Sequence, residues 1–190
     1  GLTKEEVKPA IIASAAIRIF MSYANDLIDE QQVNPEMLIK PFVDGLRGRI
    51  TETTQEARIC HSLGYLIHEA LKERSIYNCW IVEDARELET KFYNAHTTKN
   101  PEQVLELSGS LSSQFCFTLI GVGMNLDPCL VEKLQDAGYD LGTYLQLADD
   151  LVDLEKDRAI NQPNYIATIL PEVRTTILNN AKRRALETLN

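Results

Sequence analysis

Three aspartates spaced four residues apart are the part of this sequence best suited to chemistry. Asp149, Asp153 and Asp157 lie within the segment YLQLADDLVDLEKD. Because an α-helix turns once in 3.6 residues, this spacing places the three carboxylates along one helical face over about 12 Å. Like charges at this spacing repel one another, so we expect a bound cation to offset them. Oxygen ligands of this kind suit Mg²⁺, which keeps waters and also binds phosphate oxygens.

A second acidic turn stands near the end of the first predicted helix, in the segment YANDLIDE. Asn25 and Asp29 are four residues apart, and so are Asp26 and Glu30. Either acidic cluster alone is typical of a solvated helix surface. Because both follow apolar helical segments, we predict that the two helix ends face each other across a bundle. Cations held between them could then bridge both walls to a diphosphate.

The elements that must position these residues are predicted to be helices almost throughout. Hydrophobic residues recur at helical spacing, and alternation typical of strands does not extend beyond a few residues. This pattern predicts a single all-α domain over residues 1–190. The chain begins with Gly1 and ends in a helical pattern, so we expect a domain cut at one or both ends. Capping residues and prolines predict helix starts at Thr3, near Pro35, near Thr54, at Pro101, at Pro128 and at Pro171.

The Pro128 helix is expected to run unbroken through Asp157 and to carry the aspartates. In the Pro101 helix, Gly109 and the neighbouring serines make the middle small, which would leave volume for a ligand or let the helix bend. The apolar segment 115–124 suits either the core or the lining of a pocket. His61 and His68 lie seven residues apart without a third ligand, so we expect them to be surface residues or satisfied interior residues.

Composition narrows the classes of partner. The chain of 190 residues is 44% hydrophobic and carries a net charge of −9, which argues against binding nucleic acid. An acidic protein can hold a phosphate-bearing substrate only through metal ions or a local basic cluster. Four cysteines without a CxxC pair predict a reduced, cytoplasmic protein with buried thiols. The apolar stretch 11–20 is predicted to be too short to span a bilayer, and peripheral membrane contact stays open.

Two longer segments resemble the squalene/phytoene synthase family. SYANDLIDEQQVNPEMLIKPFVDGLRG is similar to the first aspartate-rich region of that family, and DLGTYLQLADDLVDLEKDRAINQPNY is similar to the second. Between them, KFYNAHTTKNPEQVLELSGSLSSQFCFTLIGVG occupies the place of the small-residue helix that lines the prenyl-chain pocket. The pattern QxxDDxxD, which the trans-prenyl diphosphate synthases share, is present as Gln146, Asp149, Asp150 and Asp153. The resemblance covers residues 10–165 and implies the class I isoprenoid synthase fold, an all-α bundle with a central apolar cavity.

The resemblance also implies an activity and a set of site residues. It implies an Mg²⁺-dependent transferase, with Mn²⁺ as a substitute, whose substrate is a prenyl diphosphate. The implied metal ligands are Asn25, Asp26, Asp29, Asp149, Asp153 and Asp157, among which Asp26, Asp29, Asp149 and Asp153 are the catalytic residues. The implied substrate-binding residues are Tyr23, Gly109, Phe115, Gln146, Lys156, Arg158 and Tyr165.

Several functions remain open from the sequence. Head-to-head condensation, chain elongation and terpene cyclisation all begin with ionisation of a prenyl diphosphate, so the motifs do not separate them. A non-catalytic protein of the same fold, acting as an assembly or regulatory subunit, is favoured by Asn25 in place of an aspartate. The few basic residues near the second motif favour the same alternative. A third hypothesis is a helical bundle whose acidic clusters bind metal without prenyl chemistry.

Overall fold

The computed structural model describes residues 3–50, 54–74, 77, 81, 85, 87, 90, 91, 94 and 100–189, and for residues 29 and 30 it describes the main chain alone. Regular structure in these ranges is entirely helical, with no strand. The prediction of an all-α protein is therefore confirmed.

The helices follow one another with short connections. Helix α1 spans Lys4–Gln31, α2 spans Glu36–Leu46 and α3 spans Gln55–Leu71. The described residues between 77 and 94 are helical as well. The next helical stretch has three parts, which are α4 at Pro101–Val104, a π-helical segment at Leu105–Leu111 and α5 at Ser112–Gly123. The remaining elements are α6 at Pro128–Val152, α7 at Leu154–Ile160, a 3₁₀ turn at Ile166–Thr168 and α8 at Pro171–Thr188.

Side-chain caps fix several of the predicted helix starts. The Thr3 hydroxyl accepts the main-chain N–H of Glu6, and the Glu6 carboxylate accepts the N–H of Thr3, which together form a capping box. The Asn100 side chain accepts from the first N–H groups of α4, directly before Pro101. Asp127 caps α6 in the same way. Because these caps satisfy N–H groups that have no partner inside the helix, they define where each helix begins.

The main core lies between α1, α2, α3 and α5. Phe20 of α1 stacks on Phe42 of α2 with ring centroids 3.8 Å apart, and Leu119 of α5 is fully buried in the same cluster. Tyr77 and Ile81 add to this core. A smaller second cluster joins α6, α7, the 3₁₀ turn and α8. Helix α6 contributes to both clusters, through Val131 in the main core and Leu147 in the second cluster.

The predicted unbroken helix through Asp157 is wrong at one position. Helix α6 ends at Val152, and α7 begins at Leu154. Asp153 between them has φ −89° and ψ 5°, outside the helical range. Its main-chain N–H still donates to the carbonyl oxygen of Asp149 at 2.9 Å. The break is therefore local, since main-chain hydrogen bonds at four-residue spacing continue across it.

Helix α1 is longer than the apolar stretch considered in the sequence. Lys4–Ile28 contains a window of mean hydropathy 1.3, so by length and composition alone this helix could cross a membrane. The prediction from the sequence considered only the ten residues 11–20, so this longer window does not test it. The same helix buries Ala13, Ile17 and Phe20 in the main core, as the core helix of a water-soluble protein also would.

Candidate acidic pocket

A pocket of about 460 Å³ lies between the end of α1 and the junction of α6 with α7. Asn25 and Ile28 line it from α1, and residues 32–35 extend this wall. Asp149, Asp150, Asp153 and Asp157 line the other side. The volume lies within the range of small-molecule sites. Among the described side chains, the structure thus brings Asn25 of the first acidic turn and the aspartate face of the second motif to one pocket.

The three aspartates at four-residue spacing differ in what they contact. Asp149 is exposed, and its carboxylate has no hydrogen bond or ion pair with any residue that the structure describes. Asp153 forms an ion pair with Lys156, with Oδ2 and Nζ 3.3 Å apart. Asp157 is half-buried and accepts a hydrogen bond of 2.8 Å from Nδ2 of Asn164. Among the described residues, Asp149 therefore has no polar partner, Asp153 is paired with a surface lysine and Asp157 is hydrogen-bonded to a buried asparagine.

Asp150 has a different environment, although it lines the same pocket. It is only 7% exposed, and its carboxylate accepts from Nε2 of Gln146 at 2.9 Å and from the main-chain N–H of Tyr165 at 2.7 Å. Burial raises the pKa of Asp150, and the charge of Asp157 raises it further, while the bonds from Gln146 and Tyr165 lower it. These contacts make Asp150 an anchor for the following loop.

Sequence reasoning did not predict the anchor role of Asp150, although a signal was present. Leu147 and Leu154 lie three residues before and four residues after Asp150, which is the spacing of a buried helical face. Both leucines are buried in the second cluster. Asp150 therefore stands on the inward stripe, where a carboxylate needs hydrogen-bond partners.

Among the side chains that the structure describes, the α1 wall brings an amide to the pocket, and the described aspartate of the first acidic turn lies outside it. Asn25 is half-buried and lines the pocket, whereas Asp26 is exposed and does not line it. The side chain of Asp29 lies outside the described residues. Tyr23 packs against the main core, and burial raises its pKa, with further effects from Cys60 and Glu56 of α3. Within the described part of the chain, α1 therefore gives the pocket an amide oxygen and no carboxylate.

The remaining predicted residues divide between the pocket, the packed interior and the exposed surface. Gln146 and Lys156 line the pocket. Arg158 is exposed and pairs with Glu155 at 3.1 Å, away from the pocket. Phe115 is 2% exposed within the main core. Gly109 and Tyr165 also do not line the pocket, since Gly109 lies against α6 and Tyr165 packs in the second cluster.

Several side chains that line the pocket carry oxygen atoms, which are the ligand type that Mg²⁺ prefers. Asp149, Asp153 and Asp157 supply carboxylate oxygens, and Asn25 supplies an amide oxygen. Among the described residues, no three His, Cys, Asp or Glu side chains are grouped closely enough to hold a metal by themselves. Mg²⁺ commonly binds one or two carboxylates and completes its coordination with waters and substrate phosphates. The carboxylates are thus distributed along the pocket wall rather than grouped around one point.

The two helical histidines are occupied by structural hydrogen bonds, as the sequence led us to expect. Nε2 of His61 lies 2.6 Å from the carbonyl oxygen of Arg49, and Nδ1 of His68 lies 3.2 Å from that of Leu46. The Tyr77 hydroxyl also donates to the Leu46 carbonyl, at 2.6 Å. These groups satisfy carbonyls at and just beyond the end of α2, where helical partners run out.

Comparison of the chain with protein-family models, curated proteins and solved structures finds no match. The resemblance to squalene/phytoene synthases therefore rests on the sequence motifs quoted above, and the pocket is described from its own residues.

Proposed function

We propose that this chain is an Mg²⁺-dependent isoprenoid synthase that ionises prenyl diphosphates, in a condensation like that of squalene/phytoene synthases or a related prenyl transfer. The observation that carries the proposal is the shared pocket. Asn25 of α1 and the aspartates of α6 and α7 line the same cavity, although more than a hundred residues separate them in sequence. The proposed fold is the class I isoprenoid synthase bundle, and Mn²⁺ would serve in place of Mg²⁺.

Each wall of the pocket has a role in this proposal. Asp149 would hold cations from α6, Asp153 from the junction of α6 with α7 and Asp157 from α7. Asn25 would add an amide oxygen from α1. Asp26 and Asp29 remain proposed ligands, and for Asp26 this would require the end of α1 to turn its side chain toward the pocket. Bound Mg²⁺ would stabilise the diphosphate as a leaving group by Lewis-acid action. Lys156 would contribute positive charge once its pairing with Asp153 is exchanged for substrate.

The proposed substrate chain needs an apolar surface. Ile28, Val104 and Ile160 line the pocket and would shield an allylic cation from water. Phe115 lies in the main core and Tyr23 packs against it, and neither lines the pocket. A central apolar cavity of the proposed fold would therefore require core side chains to move when substrate binds. Terpene cyclisation fits the same ionisation step and remains an alternative product route.

One observation favours a second candidate, a non-catalytic assembly or regulatory subunit of the same fold. The α1 wall presents Asn25 to the pocket and, among the described residues, no carboxylate. An amide contributes no charge, so cations would be held more weakly from this side. A regulatory protein could keep the pocket for a ligand without turning it over.

The enzymatic proposal is tested by product analysis. The chain is incubated with Mg²⁺ and with geranyl, farnesyl or geranylgeranyl diphosphate, and prenyl products and released diphosphate are identified. The double variant Asp149→Asn with Asp153→Asn is expected to lose at least about 100-fold in turnover, since loss of an outer-shell partner alone costs about 10–100-fold. Helicity should stay unchanged because both side chains face the pocket opening.

The double variant Glu132→Gln with Asp136→Asn is the matched control. These residues are exposed at the other end of α6, stand four apart and change the net charge by the same amount. Full activity of this control, with loss in the pocket variant, supports the proposal. Wild-type protein that forms no product contradicts the enzymatic function, and equal product from both double variants contradicts the assignment of the metal ligands.

A further inference from the structure

Asn164 is a buried polar residue in the loop that follows α7. It is 3% exposed, which is unusual for an asparagine in a connecting segment. Its Nδ2 donates to the carbonyl oxygen of Asp150 at 2.7 Å and to Oδ2 of Asp157 at 2.8 Å. Its Oδ1 accepts the main-chain N–H of Ala167 at 2.9 Å. One side chain therefore joins α6, α7 and the 3₁₀ turn.

The orientation of this amide is fixed by its partners. The N–H of Ala167 can only donate, so the side-chain atom facing it must be the oxygen. The two amide hydrogens then point at the main-chain carbonyl of Asp150 and at the carboxylate of Asp157. Both of these groups are acceptors without a donor hydrogen when Asp157 is ionised. A rotated amide would lose all three bonds, and each buried group left without a partner is costly.

The loop itself is tied to the pocket wall by Asp150. The buried Asp150 carboxylate accepts the N–H of Tyr165, the residue after Asn164, and its other oxygen is held by Gln146. These contacts place Asn164 at a fixed position relative to α6. Asn164 binds only Oδ2 of Asp157, so Oδ1 of this pocket-lining residue is not bonded to Asn164.

We propose that Asn164 is a positioning residue that orients the Asp157 carboxylate toward cations in the pocket. The inference rests on the proposed function, because it takes Asp157 to be a cation ligand. Ligating carboxylates are commonly held by hydrogen bonds from neighbouring groups, and loss of such a partner weakens metal binding by about 10–100-fold. Asn164 acts through Asp157 and is not itself a ligand, since both amide hydrogens and its oxygen are already engaged.

The test measures Mn²⁺ binding in the presence of inorganic pyrophosphate, by the electron paramagnetic resonance signal of free Mn²⁺. Asn164→Ser removes the amide that reaches Asp157 and keeps an oxygen able to accept from Ala167. We expect Mn²⁺ to bind this variant about 10–100-fold more weakly than wild type. Asn164→Ala is the second variant, used if the serine variant has an altered circular dichroism spectrum.

Thr168→Val is the matched control for damage to the loop. The Thr168 hydroxyl donates to the Tyr165 carbonyl at 2.7 Å within the same turn, and it has no hydrogen bond to an aspartate among the residues that the structure describes. We expect this variant to bind Mn²⁺ within about twofold of wild type, within the scatter for a site away from the ligands. Weakening equal to that of Asn164→Ser would show a general loop effect and overturn the inference.

Introducing Asn164→Ser into an Asp157→Asn variant tests whether Asn164 affects Mn²⁺ binding by positioning Asp157 or by stabilising the loop in general. If Asn164 acts through Asp157, then Asn164→Ser added to Asp157→Asn should cause almost no further loss of Mn²⁺ affinity. A full additional loss would overturn the inference, and so would a wild-type affinity in Asn164→Ser. Wild-type protein that binds no Mn²⁺ with pyrophosphate would overturn the proposed function together with this inference, so the two failures are distinguishable.

Discussion

At the scale of single residues, the four-residue spacing predicted that Asp149, Asp153 and Asp157 share one face, and all three line the pocket. Asp150 lines it as well. Asp150 is one residue further along, which rotates it by about 100° toward the buried stripe. Its partners in the loop could not be predicted, because the return of residues 161–165 onto α6 depends on tertiary hydrogen bonds rather than on local sequence.

The cysteines were predicted to be buried, and this is wrong for one of them. Cys129 is exposed near the start of α6, Cys60 is buried and Cys116 is half-buried, while Cys79 lies outside the described residues. Burial raises the pKa of Cys60 to about 12 and that of Cys116 to about 11. A thiol with a raised pKa stays protonated and is a poor nucleophile.

We therefore expect the thiols to react with iodoacetamide in a defined order. At pH 8, a pKa near 12 leaves about one Cys60 in ten thousand as thiolate, before restricted access is considered. Peptide mass spectrometry should show rapid alkylation of Cys129 and modification of Cys60 only after unfolding in urea. Equal rates for Cys60 and Cys129 in the folded protein would contradict the described packing of α3.

At the scale of elements, the crossing of the π-helical segment with α6 is the least predictable feature. Gly109 and Gly142 face each other there, and the Ser110 and Thr143 hydroxyls are hydrogen-bonded at 2.6 Å beside them. The sequence indicated a small middle in this helix, expected to leave room for a ligand or to allow a bend. In the structure, the small residues allow the π-helical segment and α6 to pack closely. This packing depends on the neighbouring helix, so it could not be predicted from the local sequence.

Gly142→Ala is expected to destabilise this crossing. An added Cβ would collide with the main-chain oxygen of Gly109 and lie 2.6 Å from the Ser113 side chain. Because main-chain atoms cannot move aside easily, we expect the free energy of unfolding to fall by about 1–3 kcal/mol. Urea denaturation followed by circular dichroism measures the change.

Gly121→Ala is the matched control, since it is a buried glycine in the adjacent α5. A Cβ there meets side-chain methyl groups of Val131 and Leu134 at 3.0 and 3.3 Å. These groups can shift, and alanine gains about 0.5–1 kcal/mol in a helix interior. We expect a smaller loss than for Gly142→Ala, and a reversed order would contradict the described crossing.

At the scale of the whole molecule, the all-α class and most helix starts follow from hydrophobic periodicity and capping residues. Thr3, Asn100 and Asp127 cap their helices as local rules require. The break at Asp153 and the packed interior do not follow from such rules, because both depend on how several helices meet. The convergence of the two acidic regions was inferred by combining motifs, and among the described residues it brings Asn25 and not Asp26 to the pocket.

Charge makes the central claim testable on the intact chain. The protein carries a net charge of −9, and Lys156 is the sole basic residue lining the pocket within the described ranges. A diphosphate would meet several carboxylates there, so its binding requires cations that neutralise both partners. A pocket built for such a ternary complex must bind Mg²⁺ and diphosphate together more tightly than either alone.

The most direct measurement is the melting temperature with Mg²⁺, with pyrophosphate and with both, over a range of concentrations. Ligands that bind the folded state raise the melting temperature in proportion to the logarithm of their concentration once the site is saturated. We predict that the combination raises it by more than the sum of the separate shifts, and that Asp149→Asn with Asp153→Asn removes this excess. No excess in the wild-type protein, or the same excess in the double variant, would contradict a shared cation and diphosphate site in this pocket.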